Sequence, residues 1–110
     1  MANVYKRLGA TTVTADTDTA LYTVPASTSA VVSSLVVCNR GASSATFRVA
    51  HVDGAIGVIA NEDYIFYDVS IPANDTFVAT IGATMATTQT LLVRSDSADV
   101  NFIAWGSEVS

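Results

Sequence analysis

His51 is the only histidine in the chain and Cys38 the only cysteine, so acid–base or thiol chemistry would pass through one or both. A serine or cysteine nucleophile needs an imidazole to take its proton. His51 would have to serve Cys38 or a serine, yet no G-x-S-x-G elbow or comparable nucleophile signature accompanies it. It precedes the turn residues Asp53-Gly54 and is expected to be a satisfied surface or interface residue. A zinc site would need two carboxylates beside one imidazole and one thiol, and no ligand spacing suggests it. Cys38 lies in mid-strand and reads as a small core residue, because a reactive thiol wants a basic neighbour in a cleft.

Three pairs of carboxylates stand close in sequence: Asp16 with Asp18, Glu62 with Asp63, and Asp96 with Asp99. Oxygen ligands at alternate positions suit calcium, but the twelve-residue loop with its terminal Glu is absent, and turn formation is the expected role. A glycosidase-like pair has no aromatic-rich cleft to accompany it. Tyr64, Phe66 and Tyr67 could stack on sugar rings. Strand alternation puts Tyr64 and Phe66 on one side and Tyr67 on the other, as for core and interface residues rather than a platform. Trp105 shares a face with Ile103 and is expected to anchor packing or an interface.

The elements that must carry these residues are strands. No segment sustains a 3.6-residue apolar repeat over ten residues, whereas alternation recurs throughout. Residues 4–13 read as a strand kinked at Gly9, 21–24 as a short strand closed by Pro25, and 30–38 as a long one. In the long strand Val31, Leu35 and Val37 are expected on one face and Val32, Val36 and Cys38 on the other. Further strands are expected at 45–52, 63–71, 76–81, 89–95 and 100–105, with a loop or flap at 53–61 and a connection at 82–88. Turn signals about every ten residues predict an all-β chain: a single antiparallel β-sandwich of seven or eight strands, jelly-roll or immunoglobulin-like.

At 110 residues the chain is one domain. Half of it is hydrophobic, only 14% is charged, and the net charge is −5. Soluble domains carry about a quarter charged residues, so surface here is expected to lie against other subunits. The basic residues Lys6, Arg7, Arg40, Arg48 and Arg94 are scattered apart from the first pair, which argues against nucleic acid as a partner. No apolar run approaches the length of a transmembrane helix, and the first seven residues lack the apolar region of a signal peptide; no membrane association is expected. A lone cysteine forms no intrachain disulfide, so assembly in a reducing or indifferent compartment is expected.

Five phrases in order carry a resemblance: LYTVPA (21–26), VCNR (37–40), TFR (46–48), IPANDT (71–76) and FIAWGSE (102–108). Together they make the chain, from about Lys6 to Glu108, similar to a family of small virion structural proteins of tailed bacteriophages, common among cyanophages. The phrases are turns and strands and carry no catalytic residues. The resemblance implies a non-enzymatic β-sandwich in the virion, assembled in the host cytoplasm. The leading expectation is a capsid decoration (cement) protein that binds the major capsid protein, bridges capsomers and self-associates as a homotrimer, with no cofactor. A tail, baseplate or fibre component is the alternative, and a carbohydrate-binding module is the alternative of another class. On this reading residues 1–14 form an N-terminal arm or edge strand and 15–110 the sandwich. Val4, Tyr5, Lys6 and Arg7 are expected to touch the shell, whose surface is commonly acidic, and Trp105 to pack subunits.

Overall fold

Alternating apolar residues become eight strands in the computed structural model, which describes residues 3–110. Met1 and Ala2, the start of the expected arm, lie outside the described residues. The strands are β1 (Asn3–Thr12), β2 (Thr19–Thr23), β3 (Ser29–Asn39), β4 (Ala45–Val52), β5 (Tyr64–Ile71), β6 (Thr76–Met85), β7 (Thr90–Ser95) and β8 (Val100–Val109). They form two antiparallel four-stranded sheets: sheet A in the order β1-β8-β3-β6 and sheet B in the order β2-β7-β4-β5.

This strand order selects the jelly roll. The chain pairs as one long hairpin, first strand with last, second with seventh, third with sixth, and β4 with β5 at its tip. Rolling that hairpin adds the β3–β8 and β4–β7 pairs. An immunoglobulin-like sandwich would instead place its first two strands side by side, whereas here β1 and β2 lie in different sheets. Residues 3–12, where an arm or edge strand is expected, form the edge strand β1 along β8, from Asn3 opposite Val109 to Thr12 opposite Asn101.

Period-two alternation fills the space between the sheets. Leu35 and Val37 from β3, Phe102 and Ala104 from β8, Phe47 and Val49 from β4, and Leu91 and Val93 from β7 are fully buried. The Phe47 ring lies 5.2 Å from Phe77, 6.1 Å from Phe66 and 6.3 Å from Phe102, which joins both sheets through aromatic contacts.

Bulges overturn expected face assignments in two strands, β3 and β5. The β3–β6 and β3–β8 registers both slip between Val32 and Ser34, so an extra residue lets Val32 share the inner face with Leu35 and Val37. Cys38, beyond the bulge, alternates outward from Val37, so it is half-buried on the outer side of sheet A and is not a core residue. In β5 the register slips on both sides of Phe66, and Asp68 takes a left-handed φ of 52°. Phe66 therefore faces the core, while Tyr64 and Tyr67 meet edge-to-face on the outer side at 4.9 Å; Phe66 and Tyr67 lie on opposite faces as expected, but Tyr64 joins Tyr67 and not Phe66. Two strands also run further than expected, β6 to Met85 and β8 to Val109, while residues 53–63 carry two single 3-10 turns, Ile56–Val58 and Asn61–Asp63.

Asn39 closes one end of the sandwich. It is buried, and its Nδ2 donates to the carbonyls of Ser43 (2.9 Å), Ile71 (3.3 Å) and Pro72 (3.2 Å), while its Oδ1 accepts from Gly41 N (2.9 Å). One side chain thus ties the β3–β4 turn to the β5–β6 turn, where Asn74 adopts φ 56° and Asp75 Oδ1 accepts from Thr76 N. Gly41 leaves no room for a side chain, since a Cβ there would stand 2.9 Å from Asp99 Oδ2. Replacing Asn39 by Ala strands buried carbonyls without donors, so Asn39→Ala is expected to cost about 2–3 kcal/mol in urea denaturation. A loss below about 0.5 kcal/mol would show that water replaces the amide there.

Candidate functional site

The outward face of sheet A brings together residues that sequence reasoning had placed near a partner. On β8 the inner positions are taken by Val100, Phe102, Ala104 and Gly106, which turns Asn101, Ile103, Trp105 and Ser107 outward. The β1 register places Arg7 beside Trp105 and Tyr5 beside Ser107. Across β8, β3 sets Ser34 against Trp105 and Val31 against Ser107, and Ser33 Oγ donates to the Trp105 carbonyl (3.2 Å). Tyr5, Arg7, Val31, Ser33, Trp105 and Ser107, together with Lys6 and Gly106, line an open hollow of about 590 Å³. Gly106 makes it possible: a Cβ there would run into the Val31 carbonyl and hold β3 away from β8.

Chemically the face is apolar and hydroxylic. Tyr5 is 80% exposed, Val78 64% and Trp105 37%. Val31, Val36, Ile103 and a series of threonines on β6 fill the rest. Arg7 is the one charged residue at an outward position of sheet A. It is also the one charged strand residue that forms no ion pair among the described residues.

The expected contact set is therefore divided. Tyr5 and Arg7 join Trp105, whereas Val4 and Lys6 alternate to the opposite side of β1. Lys6 Nζ lies 3.1 Å from Glu108 Oε1, and Tyr22 Oη donates to Glu108 Oε2. Lys6 thus helps to bind β1 to β8 and β2. Val31, Ser33 and Ser107 belong to the hollow without having been expected there. The polar doublet Ser33-Ser34, which interrupts an apolar strand, is the sequence signal that marks the bulge behind them.

Sheet B presents a different exterior. Residues 53–63 fold over it, so that Ile56, Ile59 and Tyr64 cover the fully buried Ala50, Val52 and Leu92. Nearby, Arg48 and Arg94 are register neighbours. Each is matched by a carboxylate, Arg48 Nε to Asp68 Oδ1 at 2.7 Å and Arg94 Nη1 to Asp18 Oδ1 at 3.2 Å. The Arg48 guanidinium holds the Asp68 carboxyl below its ordinary range. It also sits 4.1 Å over the Tyr67 ring, occupying a face that a sugar would need.

The remaining candidates for chemistry are not assembled into a site. His51 Nε2 donates to Gln89 Oε1 (2.8 Å), and Gln89 Nε2 donates to Asp53 Oδ1 (3.0 Å), a chain that fastens turns. Cys38 lies on sheet A and His51 on sheet B, so they do not meet as nucleophile and base. Asp63 Oδ2 accepts from Ala60 N, the turn role expected of an acidic residue, whereas Asp96 Oδ1 accepts from Thr46 N and ties the β7–β8 connection to β4. Among the described residues, no group of three or more His, Cys, Asp or Glu is placed to hold a metal ion. No protein-family model matches the chain, and no curated protein matches it significantly.

The Tyr22–Glu108 contact under this face has a pH signature. Burial, then the hydrogen bond to Glu108, then its negative charge push the Tyr22 hydroxyl above its ordinary 10.0. Hydrogen bonds from Tyr22 and Lys6 outweigh desolvation and hold Glu108 below its ordinary 4.5. Glu108 therefore contributes stability that is complete above pH 4.5 and lost as pH falls through its lowered value. The Tyr22 contribution is complete below pH 10.0 and lost as pH rises beyond it. Urea midpoints across pH are expected to fall less steeply at both extremes for Tyr22→Phe than for the wild type; parallel curves would show that the contact carries no linkage.

Proposed function

We propose that this protein is a non-enzymatic structural subunit of a bacteriophage particle, a capsid decoration protein that seats the outward face of sheet A against the major capsid protein and neighbouring subunits. The observation that carries the reading is the contrast between the two exteriors. Sheet B is covered by its own chain and lined with matched charges. Sheet A offers Trp105, Tyr5, Val31 and Ile103 on a face with a single charge, Arg7. Burying such a face removes apolar surface from water without desolvating paired ions. Arg7, with no ion-pair partner among the described residues, is available to an acidic shell surface.

The composition supports the same reading. A chain with 14% charged residues, whose exposed β6 positions are Thr, Val and Gly, suits burial between subunits. Repeated over many copies, a modest contact becomes strong through multivalency.

The test is re-coating of particles that lack the protein. Removing residues 1–9 would strip an edge strand from sheet A, so point variants are the cleaner probes. Trp105→Ala, an anchor loss of about 2 kcal/mol or more, is expected to raise the half-saturating concentration about 30-fold. Arg7→Glu is expected to weaken coating further at low salt than at high salt. Unchanged occupancy for both variants would overturn the reading. Averaged density and copy number distinguish a shell position, with hundreds of copies, from a tail position with tens or fewer.

A further inference from the structure

The four edge strands of the sandwich are not alike. A free edge invites another strand, and proteins blunt edges with charge, brevity or bulges. β1 carries Lys6, Arg7 and a bulge between Arg7 and Gly9. β2 has five residues and a register shift between Ala20 and Tyr22. β5 carries Asp68 and two register shifts. β6 has ten residues with neither charge nor proline; its register with β3 is unbroken from Thr76 to Thr80 and shifts only beyond that stretch, between Thr80 and Ala83, where Gly82 takes φ 57°. Among the described residues it pairs with β3 alone, and its outer edge makes no further backbone hydrogen bond.

Burial along β6 points the same way. Thr76, Val78 and Thr80 are exposed, as outward residues should be, but the inward Phe77, Ala79 and Ile81 are also only half-buried. These three point toward the core and still reach solvent past the open edge. An added strand would complete their burial.

We propose that β6 is a strand-pairing edge whose occupant is β6 of a second copy, antiparallel across a two-fold axis at Val78, which joins two copies of sheet A into one eight-stranded sheet. The register follows from side-chain complementarity. Val78 then meets Val78, Thr76 meets Thr80 on the outward face, and Phe77 meets Ala79 on the inward face. Aliphatic pairs with aliphatic, hydroxyl with hydroxyl, and large with small, all favourable cross-strand pairs. The nearest charge, Asp75, stands six positions from its copy along the joined strands, about 20 Å. That exceeds the Debye length of about 8 Å at physiological salt, so the acidic copies do not repel through it. In β1 the unbroken stretch is Asn3–Arg7, and self-pairing about its centre, Tyr5, sets Lys6 only two positions from its own copy. A strongly charged partner finds no counter-charge on β6, which leaves a second copy as the fitting occupant.

This two-fold pairing takes the place of the threefold association implied by the resemblance, and it does not depend on what sheet A's outward face meets. Sedimentation velocity and native mass spectrometry of the full chain, from about 1 to about 200 µM, read it directly. The wild type is expected as a concentration-dependent dimer, with amides of residues 76–80 protected from hydrogen exchange in the dimer. Val78→Lys sets two ammonium groups opposite each other at an exposed position; it is expected to weaken the dimer at least tenfold while the urea midpoint, read at a concentration where both proteins are monomeric, stays unchanged. Trp105→Ala is expected to leave the dimer intact. A monomer throughout, a trimer, a dimer that Val78→Lys leaves intact, or one that Trp105→Ala dissolves would overturn the proposal. Failure of the shell-binding reading is read separately, in the particle-coating assay.

Discussion

The ring of Phe47, fully buried, meets the rings of Phe66, Phe77 and Phe102 and so ties β4 to β5, β6 and β8. Both sheets converge on that cluster, and it sets which residues of every neighbouring strand face inward. Because side chains alternate, each inward choice decides an outward one. Phe102 and Ala104 inside require Ile103 and Trp105 outside; Leu35 and Val37 inside require Val36 and Cys38 outside. The exterior of sheet A is thus the complement of the core, and a change of one residue in register would exchange the two sets.

That dependence explains what was legible in the sequence and what was not. Strand positions were readable because alternation and turn residues are local: β4 falls on residues 45–52 as expected, and β5 and β7 begin within one residue of expectation. The choice of jelly roll was not readable, since pairing Asn3 with Val109 rests on contacts between the two ends of the chain. Face assignments failed wherever a bulge intervened. Ser33 inserts an extra residue and moves Val32 to the inner face, and Asp68 at φ 52° returns Val69 to the core after Tyr67 points out. In the candidate face Tyr5, Arg7 and Trp105 were recognisable by type, but the division of Val4 and Lys6 from Tyr5 and Arg7 was not, because nothing local says which side of β1 meets the core.

The two exteriors differ in how their charges are handled. Arg48 and Arg94, opposite each other on β4 and β7, would repel; Asp68 from β5 and Asp18 from the β1–β2 connection offset this. Residues 53–63 seal the adjacent apolar patch of Ala50, Val52 and Leu92. Sheet B is thereby made compatible with water at the expense of a long connection. No comparable segment crosses sheet A among the described residues.

Low charge on an uncovered face leaves little to hydrate it, and the chain meets this with hydroxyls. Thr76, Thr80 and Thr84 on β6, and Ser34 and Ser107 beside Trp105, keep the face hydrated while remaining neutral. Most acidic side chains lie instead in connections at the ends of the strands: Asp16, Asp18, Asp53, Glu62, Asp63, Asp75, Asp96 and Asp99. There they raise net charge and shape turns without entering a contact through sheet A. Hydroxyls cost little to desolvate when they find partners, whereas carboxylates cost several kcal/mol each. Such a distribution gathers the negative charge at the ends of the strands and leaves the outward face of sheet A neutral apart from the guanidinium of Arg7.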